Sequence, residues 1–228
     1  MSLKMCALVV LLVVGMSSCL KTNDSFNMYV QYSYALQNDN GKFTPQVRLV
    51  GNELESVSVN ITGKNFAFRK LNDFTWELTD NFFFPLEELD SIPAGYYVLT
   101  ANGLNGKSES LGLGFLEVKK KMSSVDLTTL EYSEKNLKVE LADSVQNATV
   151  YYLMIKIPTA TNSSTYAMWM PYSKLDLTGD TGEKKLSATV SISNLGTEKY
   201  RFAVGASYGS AIRISEKTIA VENEKQVE

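Results

Sequence analysis

The sequence contains no histidine, and its only two cysteines both lie within the first twenty positions. Without histidine, Ser-His-Asp and Cys-His catalysis, histidine ligation of zinc and the usual proton shuttle near neutral pH are excluded. Neither a GxGxxG nor a GxxxxGK[ST] phosphate-binding loop occurs. We therefore expect a protein that is not an enzyme, with no catalytic residue, no cofactor and no metal site.

The sequence also lacks an excess of positive charge. Its 22 Lys and Arg residues are outnumbered by 25 Asp and Glu residues, which gives a formal net charge of −3. The tightest basic cluster is the Lys triplet at residues 119–121, which is typical of a solvated linker. Nucleic-acid binding, which needs a basic surface, is not expected.

No apolar run in the chain reaches the roughly 20 residues that a membrane-spanning helix requires. The N-terminal region instead has one early charge, Lys4, followed by an almost unbroken apolar stretch from Met5 to Met16 and then by small residues. This order is typical of a secretory signal peptide. Residues 1–18 are therefore predicted to be removed on export.

The residues around the second cysteine indicate how the exported protein is held. Met16-Ser17-Ser18-Cys19 resembles a bacterial lipobox, and the resemblance implies that Cys19 is acylated and becomes the mature N-terminus. Several acyl chains make a stable anchor, whereas one holds a protein only marginally. We expect a lipid-anchored protein of the cell envelope, at the outer membrane, with residues 19–25 as the tether. The alternative is an ordinary export signal that happens to contain a cysteine.

Period-two alternation of apolar residues dominates the rest of the chain and predicts an all-β fold. One segment, residues 85–90, is predicted to be a single helical turn. The alternating segments are residues 26–36, 57–61, 66–68, 137–141, 148–157, 186–192 and 200–206.

A weak internal repeat predicts two domains. The spacing from Ile92 to Tyr97 recurs between Leu195 and Tyr200, and in both halves an alternating strand and a Gly-containing turn follow. We expect two β-sandwich domains at residues 26–119 and 125–222, joined by a linker at 120–124 and followed by a tail at 223–228.

The two tyrosines of this repeat carry a family resemblance. Each opens an alternating strand after a hydrophobic residue and a small turn, which resembles the tyrosine corner of immunoglobulin-like domains. The stretch "LGTEKYRFAVGASYG" is similar to the fibronectin type III pattern. The resemblance implies tandem immunoglobulin-like sandwiches in which Tyr97 and Tyr200 bond back to the backbone and have a structural role.

The segment "STYAMWMPYSKLD" is the most site-like part of the sequence, because Tyr166, Trp169 and Tyr172 lie close together in it. On a strand Trp169 points away from the other two, so one ring must leave the core. An exposed ring could stack on the C–H face of a sugar. The alternative is that the cluster packs against the sandwich or between domains. Trp76, which alternates with Phe74, is predicted to be core.

Two short patterns suggest a source. The "DSI" at residue 90 and the "DSV" at residue 143 resemble the O-glycosylation motif of Bacteroidota envelope proteins. Small tandem-sandwich lipoproteins of that group resemble accessory proteins of glycan uptake. The expected function is a non-catalytic binding or accessory module, with a glycan or an envelope protein as partner. The alternative is a structural, adhesion or protein-partner scaffold with no small-molecule ligand.

Overall fold

The computed structural model describes residues 27–79, 85–118, 120–158, 167–179, 186–192, 199–215 and 217–222. Within these ranges the regular structure is all β and contains no helix, as predicted. The predicted helical turn at 85–90 is wrong, because this segment is extended and Leu89 forms a bridge with Phe43. In the described ranges the strands are β1 (Met28–Gln37), β2 (Phe43–Gly51), β3 (Leu54–Ile61), β4 (Lys64–Ala67), β5 (Arg69–Lys70), β6 (Thr75–Leu78), β7 (Gly95–Gly103), β8 (Ser108–Phe115), β9 (Leu127–Ser133), β10 (Asn136–Leu141), β11 (Val150–Lys156), β12 (Met170–Leu175), β13 (Leu186–Ser191), β14 (Lys199–Tyr208), β15 (Ala211–Ile214) and β16 (Ile219–Glu222).

The turn residues of the sequence end these strands where expected. Between β3 and β4, Thr62 and Gly63 both have positive φ, at 52° and 84°. This is the backbone of a tight two-residue hairpin, and Gly63 adopts it without steric cost. After β1, Gly41 has a φ of 76° and its N–H donates to the carbonyl oxygen of Asn38. The "NDNG" stretch is therefore the turn that its composition predicts.

The strands form three sheets in the described residues. The largest has the order β12-β11-β14-β15-β1-β2-β6-β5, with β16 also paired to β14. A second sheet has the order β4-β3-β7-β8, and a third the order β13-β10-β9. The large sheet thus contains strands from both halves of the chain, whereas each small sheet comes from one half.

Burial follows the pairing of the strands. In β2, Val47 and Leu49 are buried and pair with Leu78 and Trp76 of β6. The buried side chains of all three sheets form one hydrophobic cluster. Trp76 is 4% exposed and belongs to this cluster, which confirms its predicted core position, while Phe74 is 62% exposed. The apolar core therefore extends through both halves.

Two of the contacts that join the halves involve β1. Strand β15 pairs in parallel with β1, so that Ala35 lies opposite Ala211. Between the halves, Met122 is buried, its N–H donates to Oε1 of Gln37 and its carbonyl oxygen accepts from Nε2 of the same residue, both at 2.9 Å. The expected linker has no strand, but its central residue is docked on β1 rather than solvated. The division into two domains at 120–124 stays a prediction.

The two predicted tyrosine corners differ in what surrounds them. The hydroxyl of Tyr97 donates to the carbonyl oxygen of Pro93 at 2.8 Å, four residues upstream. Tyr200 is 7% exposed at the start of β14, and the preceding residues 193–198 lie outside the described ranges. The bond of Tyr97 is of the kind that a tyrosine corner requires. The corner role of Tyr200 stays a prediction.

Candidate functional site

The predicted aromatic cluster is only partly open. Tyr166 and Cys19 both lie outside the described residues. Trp169 is half-buried against the core, and the Lys156 ammonium lies 4.9 Å from the centre of its ring. Tyr172 packs edge-on against Phe202, with ring centres 5.9 Å apart. One face of Trp169 is thus engaged by a cation and Tyr172 by a core ring, so neither presents a bare ring.

The backbone next to Trp169 is held by a buried acid. Glu77 is 1% exposed and accepts from the N–H of Met168 at 3.3 Å. Arg48 and Arg69 approach its carboxylate at 3.7 Å and 3.5 Å. Burial raises the pKa of Glu77 and outweighs the two guanidiniums and the backbone N–H, which lower it. The Nε atoms of both arginines are buried and have no hydrogen-bond partner among the described residues.

Two further titratable groups surround the same segment. The hydroxyl of Tyr34 donates to the carbonyl oxygen of Trp169 at 2.6 Å, and burial, together with Glu77, raises the pKa of this tyrosine strongly. Burial lowers the pKa of Lys156, as does the nearby Arg201, while Glu77 raises it. These contacts fasten residues 167–170 onto the strands of the first half. Their geometry is that of a structural cluster rather than an open site.

A different surface is more accessible and chemically uniform. On the four-stranded sheet most inward positions are buried, and the outward positions that alternate with them carry no charge. We call these outward positions the neutral face. It consists of Ser56, Ser58, Asn60, Asn65, Ala67, Tyr96, Val98, Thr100, Asn102, Ser108, Ser110, Gly112 and Gly114. One in five residues of the chain is charged, so a run of this length without charge is unusual. The nearest charged residue of β3 is Glu55, which lies in a bulge.

Tyr96 dominates the neutral face. It is 86% exposed and pairs with Gly114 across the two strands. A Cβ at Gly114 would lie 3.3 Å from the Tyr96 ring, and one at Gly112 would lie 3.7 Å from it. The Cδ1–Cε1 edge of the ring therefore leans over two glycines, and most of the ring is open to solvent. Its flat surface is available over a shallow platform, roughly 14 Å across four strands.

Hydroxyl and amide groups occupy the opposite end of the neutral face from this ring. Asn102 donates from Nδ2 to Oγ of Ser56 at 2.9 Å and accepts from the hydroxyl of Ser108. The side chains of Ser58 and Ser110 have no hydrogen-bond partner in the part of the chain that the structure describes. The face thus combines an aromatic ring with donors and acceptors free to bind a polar ligand.

Sequence reasoning missed the neutral face, although its signal is present. In "GYYVLTANG" the positions of Tyr96, Val98, Thr100 and Asn102 alternate with the core positions. In "SESLGLGF" serine and glycine occupy every second position. Within one strand, alternation indicates only which side chains are buried. That the outward positions of four strands form one uncharged surface depends on which strands are neighbours, and β3 and β7 are far apart in the chain.

A cleft lies elsewhere, on the large sheet. It has a volume of about 190 Å³ and is lined by residues of β1, β11, β12, β14 and β15. We call it the tyrosine cleft after Tyr32, Tyr34 and Tyr152. Its other lining residues include Ser33, Ser207, Ser210 and Pro171. Like the neutral face, it contains no charged side chain.

Other kinds of site find no support among the described residues. They include no group of three or more Cys, Asp or Glu side chains placed to hold a metal ion. They likewise include no helix with the length and hydropathy of a membrane span. Compared with known protein families and with curated proteins, the chain matches none. The arguments for function therefore rest on the chain's own residues.

Proposed function

We propose that the protein is a non-catalytic, lipid-anchored module of the cell envelope that binds neutral glycans on the neutral face. The observation that carries the proposal is the exposed ring of Tyr96, on a face whose other outward side chains are all uncharged. A sugar presents C–H groups on its faces and hydroxyls around its rim. An aromatic ring matches the first, and Ser, Thr and Asn side chains match the second.

The lack of charge favours this class of ligand over others. A nucleic acid or an acidic glycan needs Lys and Arg side chains, and the outward positions of the neutral face have none. A neutral polysaccharide needs no counter-charge, and it gains from repeated weak contacts along a flat surface. Single-site affinity is expected to be weak, and several anchored copies can raise it through avidity.

The anchor follows from the lipobox-like segment before Cys19. Acylation there would hold the module at the outer membrane, close to β1, which begins at Met28. A source in Bacteroidota and a role beside glycan uptake fit both the segment and the proposed ligand. The tandem immunoglobulin-like or fibronectin type III-like description of the sandwiches belongs to the same proposal.

The test compares Tyr96→Ala with Tyr29→Ala on an array of neutral oligosaccharides. Tyr29 is also an exposed tyrosine, at 56%, but lies on β1, outside the neutral face. Stacking contributes about 0.5–1.5 kcal/mol beyond the buried area, so Tyr96→Ala should weaken binding by about tenfold while Tyr29→Ala leaves it unchanged. Ser110→Asp, which places a charge on the face, should weaken it as well. Equal binding by all three variants would overturn the assignment of the face.

A protein partner is the second candidate. It is favoured by Val98, Leu104 and Leu116, which are 62%, 71% and 65% exposed. Exposed apolar side chains mark a protein interface where they adjoin one another, and Val98 lies next to Tyr96 on the neutral face. Loss of a co-purifying envelope protein on Leu116→Ser, with glycan binding absent in the wild type, would support the scaffold function. The predicted ligand contacts Trp169, Tyr166 and Tyr172 remain a separate proposal, tested below.

A further inference from the structure

The tyrosine cleft exists because strand β15 is short. It pairs with β1 only at Ala35 and Leu36, so the preceding residues of β1 have no strand beside them on that side within the described ranges. The β14–β15 turn closes one end of the gap, where the N–H of Ala35 donates to the carbonyl oxygen of Ser210 at 2.8 Å. Tyr152 of β11 also lines the gap.

The hydroxyls of the cleft fall into two groups. Tyr34 donates to the carbonyl oxygen of Trp169, and Oγ of Ser210 accepts from the N–H of Leu116 at 2.7 Å. The hydroxyls of Tyr32, Tyr152 and Ser207 have no hydrogen-bond partner in the described part of the chain. Ser207 is 6% exposed and lines the cleft, which is open on one side. A hydroxyl that has no partner within the protein can donate to, and accept from, a ligand in the cleft.

We infer that the tyrosine cleft is a binding site for a single neutral sugar residue, such as the end or a branch of a glycan chain. The class of ligand rests on the proposed function, but the site is distinct from the neutral face. Drug-sized ligands occupy pockets of about 300–1,000 Å³, and the 190 Å³ of the cleft suits one ring. Tyr32 and Tyr152 supply aromatic surface, and the three unpaired hydroxyls supply the polar contacts. No charged side chain is among the lining residues, which disfavours a charged sugar.

The tyrosine cleft and the neutral face would bind different parts of the same glycan. A flat face can contact the middle of a chain, whereas a cleft of this volume admits one residue at a time. The protein would thereby distinguish glycans by their terminal or branching residue as well as by their length. The dissociation constant for a free monosaccharide is expected to be millimolar, since a ligand of so few atoms can make few contacts.

The experiment titrates the full chain, labelled at tyrosine, with glucose, galactose, mannose and N-acetylglucosamine, and follows the tyrosine ring signals by NMR. Tyr152→Phe and Ser207→Ala each remove one hydroxyl without removing a bond within the described residues. At least one sugar should shift the Tyr152 signals, and the double variant should weaken its binding at least tenfold without changing the unfolding midpoint. Tyr132→Phe, at a half-buried tyrosine on β9, is the matched control and should bind as the wild type does.

The two proposals can fail separately. If no monosaccharide shifts the tyrosine signals even at the highest concentration, or if the double variant binds like the wild type, the cleft holds only water and the inference is wrong. That result leaves array binding and its dependence on Tyr96 untouched. Conversely, if the array shows no glycan binding but a monosaccharide saturates the cleft, the neutral-face proposal fails and the cleft stands.

Discussion

The buried cluster around Glu77 leads to an asymmetric prediction about charge removal. Glu77→Gln should change the free energy of unfolding by less than about 1 kcal/mol near neutral pH, whereas Arg48→Met should lower it by about 3 kcal/mol. The Glu77 carboxylate has no exposed surface, while the side chains of Arg48 and Arg69 keep 15% and 26% of theirs. A guanidinium that loses its partner can turn to water, but a stranded carboxylate cannot.

The magnitude follows from the distances. Two unit charges 4 Å apart attract by about 4 kcal/mol at an effective dielectric constant of 20. Glu77 has two such partners, at 3.7 Å and 3.5 Å, both longer than an ideal charged hydrogen bond. Desolvation costs several kcal/mol for each ion, and three ions are involved. These terms oppose one another in the wild type, and the raised pKa of Glu77 indicates that desolvation is the larger.

The pH dependence has a definite sign. Because the pKa of Glu77 is higher in the folded state than its ordinary 4.5, the folded protein binds this proton more tightly. The stability that this group contributes is fully present below the unfolded value and is lost as the pH rises through the folded value. The glutamine in Glu77→Gln cannot ionise, so this variant should not show the pH-dependent loss of stability. Arg48→Met removes a charge that lowers the pKa, and should enlarge the loss.

Urea unfolding followed by tryptophan fluorescence is a suitable assay, because Trp76 and Trp169 are the two tryptophans and flank this cluster. For a chain of this size, 3 kcal/mol corresponds to a shift in Tm of about 6–12 °C. In the double variant, Glu77→Gln should restore most of what Arg48→Met loses. The reasoning is refuted if Glu77→Gln alone costs 3 kcal/mol or more, since the ion pairs would then outweigh desolvation.

Three other predictions concern separate parts of the chain. Cys19→Ala should release the protein from the membrane fraction. The anchor would be excluded if the variant stayed in the membrane fraction and the wild-type protein carried no acyl group. Gln37→Leu leaves both backbone groups of Met122 unpaired, so it should lower the free energy of unfolding by about 2 kcal/mol and make residues 119–124 the first site of limited proteolysis; protection equal to that of the wild type would contradict the docking. Trp169→Ala should abolish glycan binding without lowering Tm if this ring contacts the ligand; a loss of about 3–5 kcal/mol with binding intact would place it in the core instead.

The sequence predicts the all-β class and those strands that carry a clear alternation of their own, but it does not predict β2, β9 or β12. The alternation of Leu137, Val139 and Leu141 is enough to place β10, and the same holds for β1 and β14. Sheet membership is a different matter, because it depends on residues far apart in the chain. Nothing near Ala35 indicates that Ala211 lies beside it. A repeat of two sandwiches predicts a separate pair of sheets in each half. The sequence of neither half indicates that strands from both halves form one large sheet.

The buried acid shows the same limit at the level of one residue. Glu77 stands between Trp76 and Leu78, so period-two alternation predicts that it points to solvent. It is buried because Met168, from the other half, covers the second face of the sheet. The aromatic cluster gives a second example. The sequence predicts an exposed ring near residues 166–172, but the ammonium group of Lys156, from β11, lies over the ring of Trp169. Residues whose surroundings come from distant segments are the ones that local patterns mispredict.

The parallel pairing of β1 with β15 also has a consequence for how the protein folds. The two strands lie near opposite ends of the described chain, so their contact has a large sequence separation, which slows folding. Because synthesis begins at the N-terminus, β1 and β2 are complete long before β15 has been made. Until then the edge of β1 that β15 will cover is unpaired and can form hydrogen bonds with another molecule. Substitutions that weaken β15 are therefore expected to appear first as aggregation during synthesis and export, even where the finished protein loses little stability.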